Sequence, residues 1–264
     1  MSPPHIVLVH GAWMSPAAWQ PWIDRYEALG YVVTAPAWPY DDRPVAELKA
    51  SPAPELANVG VAEIVAYYST VIRDITAKDG AKPALIGHSF GGLFVQMLLD
   101  RGLGKAGVAI DPAPPRGVIP NLDALKASFP VISTWGAGKK VHTMSYPDFQ
   151  WGWAHTLPEV DQRLAYDNFV VPTPGKVYFD AAGAPFNACM KVNFKNTRAP
   201  LLIIAGELDR TVPASMVKAA YKLQKQSPSP TEFHEFAGRT HWICGQPGWE
   251  EVAGLALKWV TEQG

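Results

Sequence analysis

A serine between glycines lies where one apolar run of the sequence gives way to another of different period. In the stretch PALIGHSFGGLFVQMLL, the run Ala84–Ile86 is short, follows a proline and ends in glycine, as a buried parallel strand does. The second run, over residues 93–99, is apolar enough and long enough for a buried helix. The sequence therefore predicts a strand-to-helix turn that contains Gly87, Ser89 and Gly91.

Short apolar runs alternate with helical patterns along most of the chain. Strands are predicted within the stretches HIVLV, YVVTAP, PALIGH, AGVAID, APLLIIAG and TEFHEF. Helical spacing of apolar residues begins after Ser15 and stops at Gly30, runs from Val61 to Ile75, and returns near the end of the chain. This alternation favours parallel pairing with right-handed crossovers. We expect an α/β fold with a mostly parallel sheet of about six strands and helices on both faces.

One region interrupts the alternation. Residues 112–198 are rich in proline and aromatic residues and contain no convincing buried strand. An insertion after a sheet strand emerges at the carboxyl edge, where open α/β sheets bind their ligands. We therefore predict a core formed by residues 1–111 and 199–264, and a helical cap formed by residues 112–198.

Composition excludes several classes of protein. The 264 residues have a formal net charge of -1, and no run of basic residues alternates with aromatic ones, so nucleic acid is not expected as a partner. No apolar run is long enough to cross a membrane and the N-terminal residues do not have the pattern of a signal peptide, so a cytoplasmic protein is expected. Cys189 and Cys244 match no metal or redox spacing, and no metal site is predicted.

The glycines around Ser89 allow a sharp turn that projects its hydroxyl group above the sheet, with the next backbone N–H directed to the same space. The helix that follows adds unpaired N–H groups, which favour negative charge. A serine hydroxyl is a weak nucleophile at neutral pH and needs a base that is itself oriented by an acid.

His241 is the predicted base among seven histidines. It follows the last strand on a loop at the same sheet edge as Ser89, whereas the other histidines fall within strands, in turns or in the predicted cap. Asp209 and Asp111 both end strands at that edge, and we favour Asp209 as the acid because it directly precedes a turn. Asp111 is expected to bond the backbone of its own turn.

The segments HGAW, GHSFGG, GELDRTVP and GRTHW, in this order, resemble the oxyanion, nucleophile, acid and histidine segments of the α/β-hydrolase superfamily. The likeness covers nearly the whole chain and is greatest to its small capped esterase, lactonase and hydroxynitrile-lyase-like branch. It implies an oxyanion hole formed by the backbone N–H groups of Ala12 and Phe90. It also implies two-step acyl transfer through Ser89, Asp209 and His241 without a cofactor.

The predicted activity is hydrolysis of a carboxylic ester or lactone of a small, apolar or cyclic substrate. A hydroxynitrile-lyase-like enzyme is an alternative, although Ala12 stands where that activity commonly has a hydroxyl group. A small-molecule receptor of the same fold is a further alternative. The sequence leaves the oligomeric state open, a homodimer included.

Aromatic residues suggest what lines the pocket. The chain has 10 tryptophans, and those near strand ends or in the predicted cap are candidates to contact substrate. The predicted substrate-binding residues are Trp13, Trp38, Trp135, Trp153 and Trp242.

Overall fold

A six-stranded parallel sheet forms the centre of the molecule. The computed structural model describes residues 4–183 and 187–263. In chain order the strands are β1 His5–Val9, β2 Val32–Thr34, β3 Ala84–His88, β4 Gly107–Ile110, β5 Val141–His142, β6 Thr173–Pro174, β7 Leu201–Gly206 and β8 Thr231–Phe236. The main sheet has the order β2-β1-β3-β4-β7-β8, with parallel pairing throughout. The predicted fold class and strand number are confirmed.

Helices connect the strands. The α-helices are α1 Gln20–Ala28, α2 Val45–Ala50, α3 Val61–Asp79, α4 Phe90–Asp100, α5 Leu122–Ile132, α6 Tyr146–Gly152, α7 Glu159–Phe169, α8 Gly175–Ala182, α9 Ala214–Gln224 and α10 Trp249–Glu262. Short 3-10 helices occupy Pro16–Trp19, Pro54–Asn58, Ala137–Lys139 and Ala188–Met190. As predicted, the chain turns just after α1 at Gly30, whose φ of 86° is readily adopted only by glycine. None of the helices described is long and apolar enough to span a membrane.

The sheet buries both of its faces because alternate residues of a strand point to opposite sides. In β1, Val7 and Val9 pack with α3 and α4, whereas Ile6 and Leu8 pack with α1 and α10. On the second face the Trp22 indole N–H donates to the Cys244 carbonyl at 2.8 Å, whereas those of Trp19 and Trp259 have no partner among the described residues. The near-continuous apolar composition of the strands follows from this two-sided burial.

Between β4 and β7 the chain leaves the sheet for residues 112–198, here called the inserted segment. It contains α5 to α8 and a two-residue antiparallel pair, β5 with β6, which the sequence pattern did not indicate. The segment is attached to the loops at the carboxyl edge: the Val171 N–H donates to the Trp13 carbonyl at 2.9 Å, and the Trp242 N–H to the Trp153 carbonyl at 3.0 Å. The inserted segment therefore lies over the carboxyl edge of the sheet, next to the loops that follow β1 and β8.

Candidate active site

The turn from β3 to α4 holds Ser89 in a backbone conformation that few residues adopt. Its φ is 57° and its ψ is -122°, outside the regions that are favourable for a residue with a side chain. The flanking glycines make the turn possible: a Cβ at Gly87 would lie 2.3 Å from the Gly91 carbonyl oxygen, and one at Gly91 would lie 2.0 Å from the Val9 oxygen. The close contact with β1 fixes the position of the serine.

Ser89, His241 and Asp209 form one chain of hydrogen bonds. The Ser89 Oγ lies 3.1 Å from Nε2 of His241, and Nδ1 of that ring lies 2.6 Å from Oδ2 of Asp209. The Asp209 carboxylate can only accept, so Nδ1 carries the hydrogen and Nε2 is left to accept the serine proton. All three residues are buried, and His241 is 0% exposed. Ser89 after β3, Asp209 after β7 and His241 after β8, the three residues predicted as a triad, thus lie within hydrogen-bond distance of one another.

Backbone donors hold Asp209 in place. Its Oδ1 accepts from the N–H groups of Thr211 at 2.7 Å and Val212 at 2.8 Å, so the residues after the acid form a turn around it. Charge-assisted bonds of this kind are short and directional. The acid is therefore oriented before any ligand arrives.

Asp111 lies closer to these groups than the sequence suggested. We expected it to bond the backbone of its own turn; instead its Oδ1 accepts from the Gly206 N–H at 2.7 Å, and one of its carboxyl oxygens lies within 4.8 Å of a ring nitrogen of His241. The expectation was wrong because β4 and β7 are paired neighbours, which brings the end of one strand beside the loop of the other.

Two aromatic rings enclose His241. The His88 ring lies 4.6 Å from it, and the Trp153 ring meets it edge-on at 4.4 Å. Burial, followed by the proximity of His241, lowers the pKa of His88 well below its usual value, so this neighbour stays uncharged.

His88, His241 and Asp111 place potential metal-ligating atoms within 4.8 Å of one another. Both ring nitrogens of His241 already have partners, on Ser89 and on Asp209. A metal ion held by His241 would therefore replace one of those hydrogen bonds, and the arrangement suits proton transfer better than coordination.

The turn after β1 lies against the nucleophile turn. A Cβ at Gly11 would lie 2.7 Å from the Ser89 Cβ and 3.3 Å from the Phe90 nitrogen. Phe90 is the first residue of α4, so its N–H has no acceptor within the helix. The two segments predicted to form the oxyanion hole, those of Ala12 and Phe90, are adjacent here.

Two cavities with shared lining residues lie near the nucleophile turn, and Ser89 lines the smaller one. The smaller has a volume of about 110 Å³ and a mostly apolar lining that includes Ser89 and Phe90, together with Pro120, Leu125 and Met216. The larger, about 310 Å³, lies under the inserted segment. Ser128, Tyr178 and Thr211 border both cavities.

Tyr178 was not predicted from the sequence as a residue of the site. Its hydroxyl oxygen accepts from the Trp13 indole N–H at 2.5 Å, so the O–H proton remains available to another acceptor. Nothing in the pattern of α8 distinguishes this tyrosine from one that only packs. Thr211 could have been predicted as a residue of the site, because it lies two residues after Asp209 in the same turn.

The five predicted tryptophans fall into different environments. Trp13 and Trp153 line the larger cavity, as does Trp151, a further tryptophan of the inserted segment. Trp242 borders neither cavity beside Ser89 and instead packs with Phe169 at 5.4 Å behind Trp153.

Trp38 and Trp135 lie outside both cavities. Trp38 is 1% exposed and stacks on His10 at 5.0 Å, where it belongs to the core. Trp135 is 94% exposed at the surface of the inserted segment. Both are corrections to the predicted lining, and the reason is that composition and position near a strand end do not determine where an indole side chain points.

A parallel α/β sheet with a serine at the turn after β3, followed in the chain by an aspartate and a histidine, defines a protein of the α/β-hydrolase fold. The chain belongs to the α/β hydrolase family, whose model matches residues 6–254. No curated protein matched the sequence.

Solved structures show how widely this fold is shared. A monoacylglycerol lipase from Paleococcus ferrophilus is 21% identical, with a TM-score of 0.67, over 100% of this chain and 97% of the other. A methylesterase from Arabidopsis is 16% identical, with a TM-score of 0.68, over 98% and 99%. Tomato methylketone synthase I, as a variant bound to beta-ketoheptanoate, is 15% identical, with a TM-score of 0.71, over 100% and 99%. At these identities the likeness establishes the fold alone.

Proposed function

We propose that this protein hydrolyses carboxylic esters or lactones through an acyl-enzyme. The observation on which the proposal rests is the continuous chain from Ser89 through His241 to Asp209, with the serine opening into a cavity. The names of several structural neighbours, a lipase and a methylesterase among them, agree with ester hydrolysis. The fold by itself does not decide the reaction, so the site supplies the argument.

In the proposed mechanism the Ser89 oxygen attacks the carbonyl carbon while Nε2 of His241 accepts the serine proton. Asp209 stabilises the positive charge that develops on the ring. The backbone N–H groups of Ala12 and Phe90 are proposed to bind the oxyanion of the tetrahedral intermediate. Collapse of that intermediate breaks the ester bond and His241 gives its proton to the leaving alcohol. Water then attacks the acyl-enzyme in the same way.

The two cavities suggest how a substrate is divided. A compact apolar group fits the smaller cavity, and the other side of the ester faces the larger, aromatic one. The inserted segment, which lines both, is proposed to act as a cap. Esters with one small apolar side are therefore expected to react faster than those with two long chains.

Replacement of the nucleophile tests the mechanism. Ser89→Ala is expected to lower kcat by several orders of magnitude without loss of folding, because the triad acts as a unit. A suitable control is Ser128→Ala: this serine borders the same cavities, but its hydroxyl donates to the Ala124 carbonyl of its own helix at 2.9 Å. That variant keeps the nucleophile and should change kcat far less.

The assay is release of chromophore from an activated short-chain ester. A burst followed by steady turnover in the unmodified protein supports an acyl-enzyme. A protein that binds such esters without turnover would instead be a receptor, and near-normal turnover by Ser89→Ala would show that another group is the nucleophile.

A further inference from the structure

A second buried carboxyl group lies behind the acid of the proposed triad. Asp111 follows β4 and is 0% exposed, and one of its carboxyl oxygens lies within 4.8 Å of a ring nitrogen of His241, the ring that bonds Asp209. Its backbone is fixed on both sides: φ is 40°, and its N–H donates to the Ile204 carbonyl at 2.8 Å. Full burial and the bond from the Gly206 N–H to Oδ1 hold its carboxyl group in place as well.

Two ionised carboxylates buried beside the same ring repel one another, so one of the pair is expected to hold a proton. The available donors indicate which one. Asp209 accepts two backbone N–H groups on Oδ1 and the Nδ1 hydrogen of His241 on Oδ2. Asp111 accepts one, the Gly206 N–H on Oδ1, and its buried Oδ2 accepts no hydrogen bond from the described part of the chain. Asp209 has more hydrogen-bond donors to stabilise a negative charge, so we place the proton on Asp111.

We propose that Asp111 is a positioning residue whose protonated carboxyl group donates a hydrogen bond to Asp209 and holds that carboxylate against His241. This role rests on the proposed function. Burial, and after it the charge of Asp209, raises the pKa of Asp111 well above its usual value, which agrees with a neutral acid.

The surroundings of Asp111 are consistent with a single negative charge in this part of the core. The titratable groups that face it are Asp209, the rings of His88 and His241, and the Cys244 thiol. Burial, with the proximity of Asp111, raises the pKa of that thiol and keeps it neutral as well. Asp209 thus balances the charge that develops on His241, and Asp111 supplies a donor without adding a second charge.

Whether the pair of carboxyl groups holds a proton can be measured without any substrate. Infrared spectra of the unmodified protein and of Asp111→Asn, both near neutral pH, are compared in the region of the C=O stretch of a protonated carboxylic acid. The expected difference is one band, present in the unmodified protein, shifted in D₂O and absent from the variant. Identical spectra would show that Asp111 is ionised and would overturn the proposal.

The positioning role is tested by kinetics. An asparagine side chain can accept from the Gly206 N–H and donate to Asp209, and asparagine tolerates a positive φ, so Asp111→Asn is expected to retain kcat within about threefold. Asp111→Gly also tolerates that backbone but removes the donor. Its kcat is expected to fall about tenfold or more, with little change in KM, as when the partners that orient a reactive group are removed.

Three results would contradict the proposal. They are full kcat in Asp111→Gly, an equal loss of kcat in both variants, and a change in KM alone. If Asp111→Gly does not fold, the infrared band and the kcat of Asp111→Asn still decide. If the unmodified protein hydrolyses no ester, the proposed function fails while the infrared experiment continues to test the proton on Asp111.

Discussion

Replacement of Gly91 by alanine tests whether the nucleophile turn is as rigid as its contacts indicate. The added Cβ would lie 2.0 Å from the Val9 oxygen, 2.7 Å from the Val9 carbonyl carbon and 2.8 Å from the His10 oxygen. All three are backbone atoms, and Val9 is fully buried in β1. A side chain could rotate away, but here the sheet and the helix must separate by about 1 Å to restore a normal contact.

The free energy of unfolding should fall substantially. Overpacking of a core costs about 1–3 kcal/mol when side chains can adjust, and more when backbone must move. Alanine regains up to about 1 kcal/mol through its helix propensity. We therefore expect Gly91→Ala to lose about 2 kcal/mol or more net.

Gly254 provides the matched control. It lies within α10, and a Cβ there would meet no atom within 4 Å. Gly254→Ala gains helix propensity without a contact and should stabilise the protein by about 0.5–1 kcal/mol. The two substitutions are chemically identical, so the difference between them measures the clash.

Urea unfolding followed by tryptophan fluorescence measures both changes, and equal m values allow the midpoints to be compared directly. If Gly91→Ala folds, its ester turnover should also fall by about 10²-fold, because a shift near 1 Å misplaces Ser89. A Gly91→Ala protein as stable and active as the unmodified one would show that the turn moves freely and that the packing argument is wrong.

Further predictions concern the acid, a buried histidine and an exposed indole. Asp209→Asn should lower kcat by about 10⁴-fold with little change in KM, because the amide does not fix the His241 tautomer; steady-state kinetics with a short-chain ester would check this, and a small loss would count against Asp209. Burial lowers the pKa of His10 from 6.5 to about 4, so between these pH values the unfolded chain binds more protons. Stability should therefore fall by up to about 3 kcal/mol as pH drops from 7 to 4, and urea unfolding of His10→Gln, which keeps an acceptor for the Trp38 N–H, should show a weaker dependence. Trp135→Ala should change the melting temperature and KM little, since this side chain is 94% exposed; a marked rise in KM would place Trp135 at the substrate after all.

Much of the fold could be predicted from local patterns. The apolar runs marked the strands because strands buried on both faces have few polar positions, and alternation with helices implied parallel pairing. In β3 the apolar run ends at Ile86, but the strand, predicted within PALIGH, continues to His88. Pairing with β4 extends it, and that contact is not local in sequence.

The candidate site, too, could be predicted from the sequence only in part. Glycines on both sides of Ser89 indicated the nucleophile turn, since few other residues allow that approach of backbone to backbone. The order of Asp209 and His241 after it could be read, but order did not separate Asp209 from Asp111. The hydrogen bond between Asp209 and His241, and the position of Asp111 beside the same ring, are seen only when β4 and β7 are neighbours.

The sequence by itself therefore determined the elements, their alternation and the turn of Ser89, because propensity, periodicity and glycine act over a few residues. The tertiary structure alone decided which tryptophans face the cavity, that Tyr178 borders it, and where Asp111 lies. Those features depend on side chains that come together from segments far apart in the chain. A period of two or of 3.6 residues shows which face of a strand or helix a residue lies on, but not which distant residue it contacts.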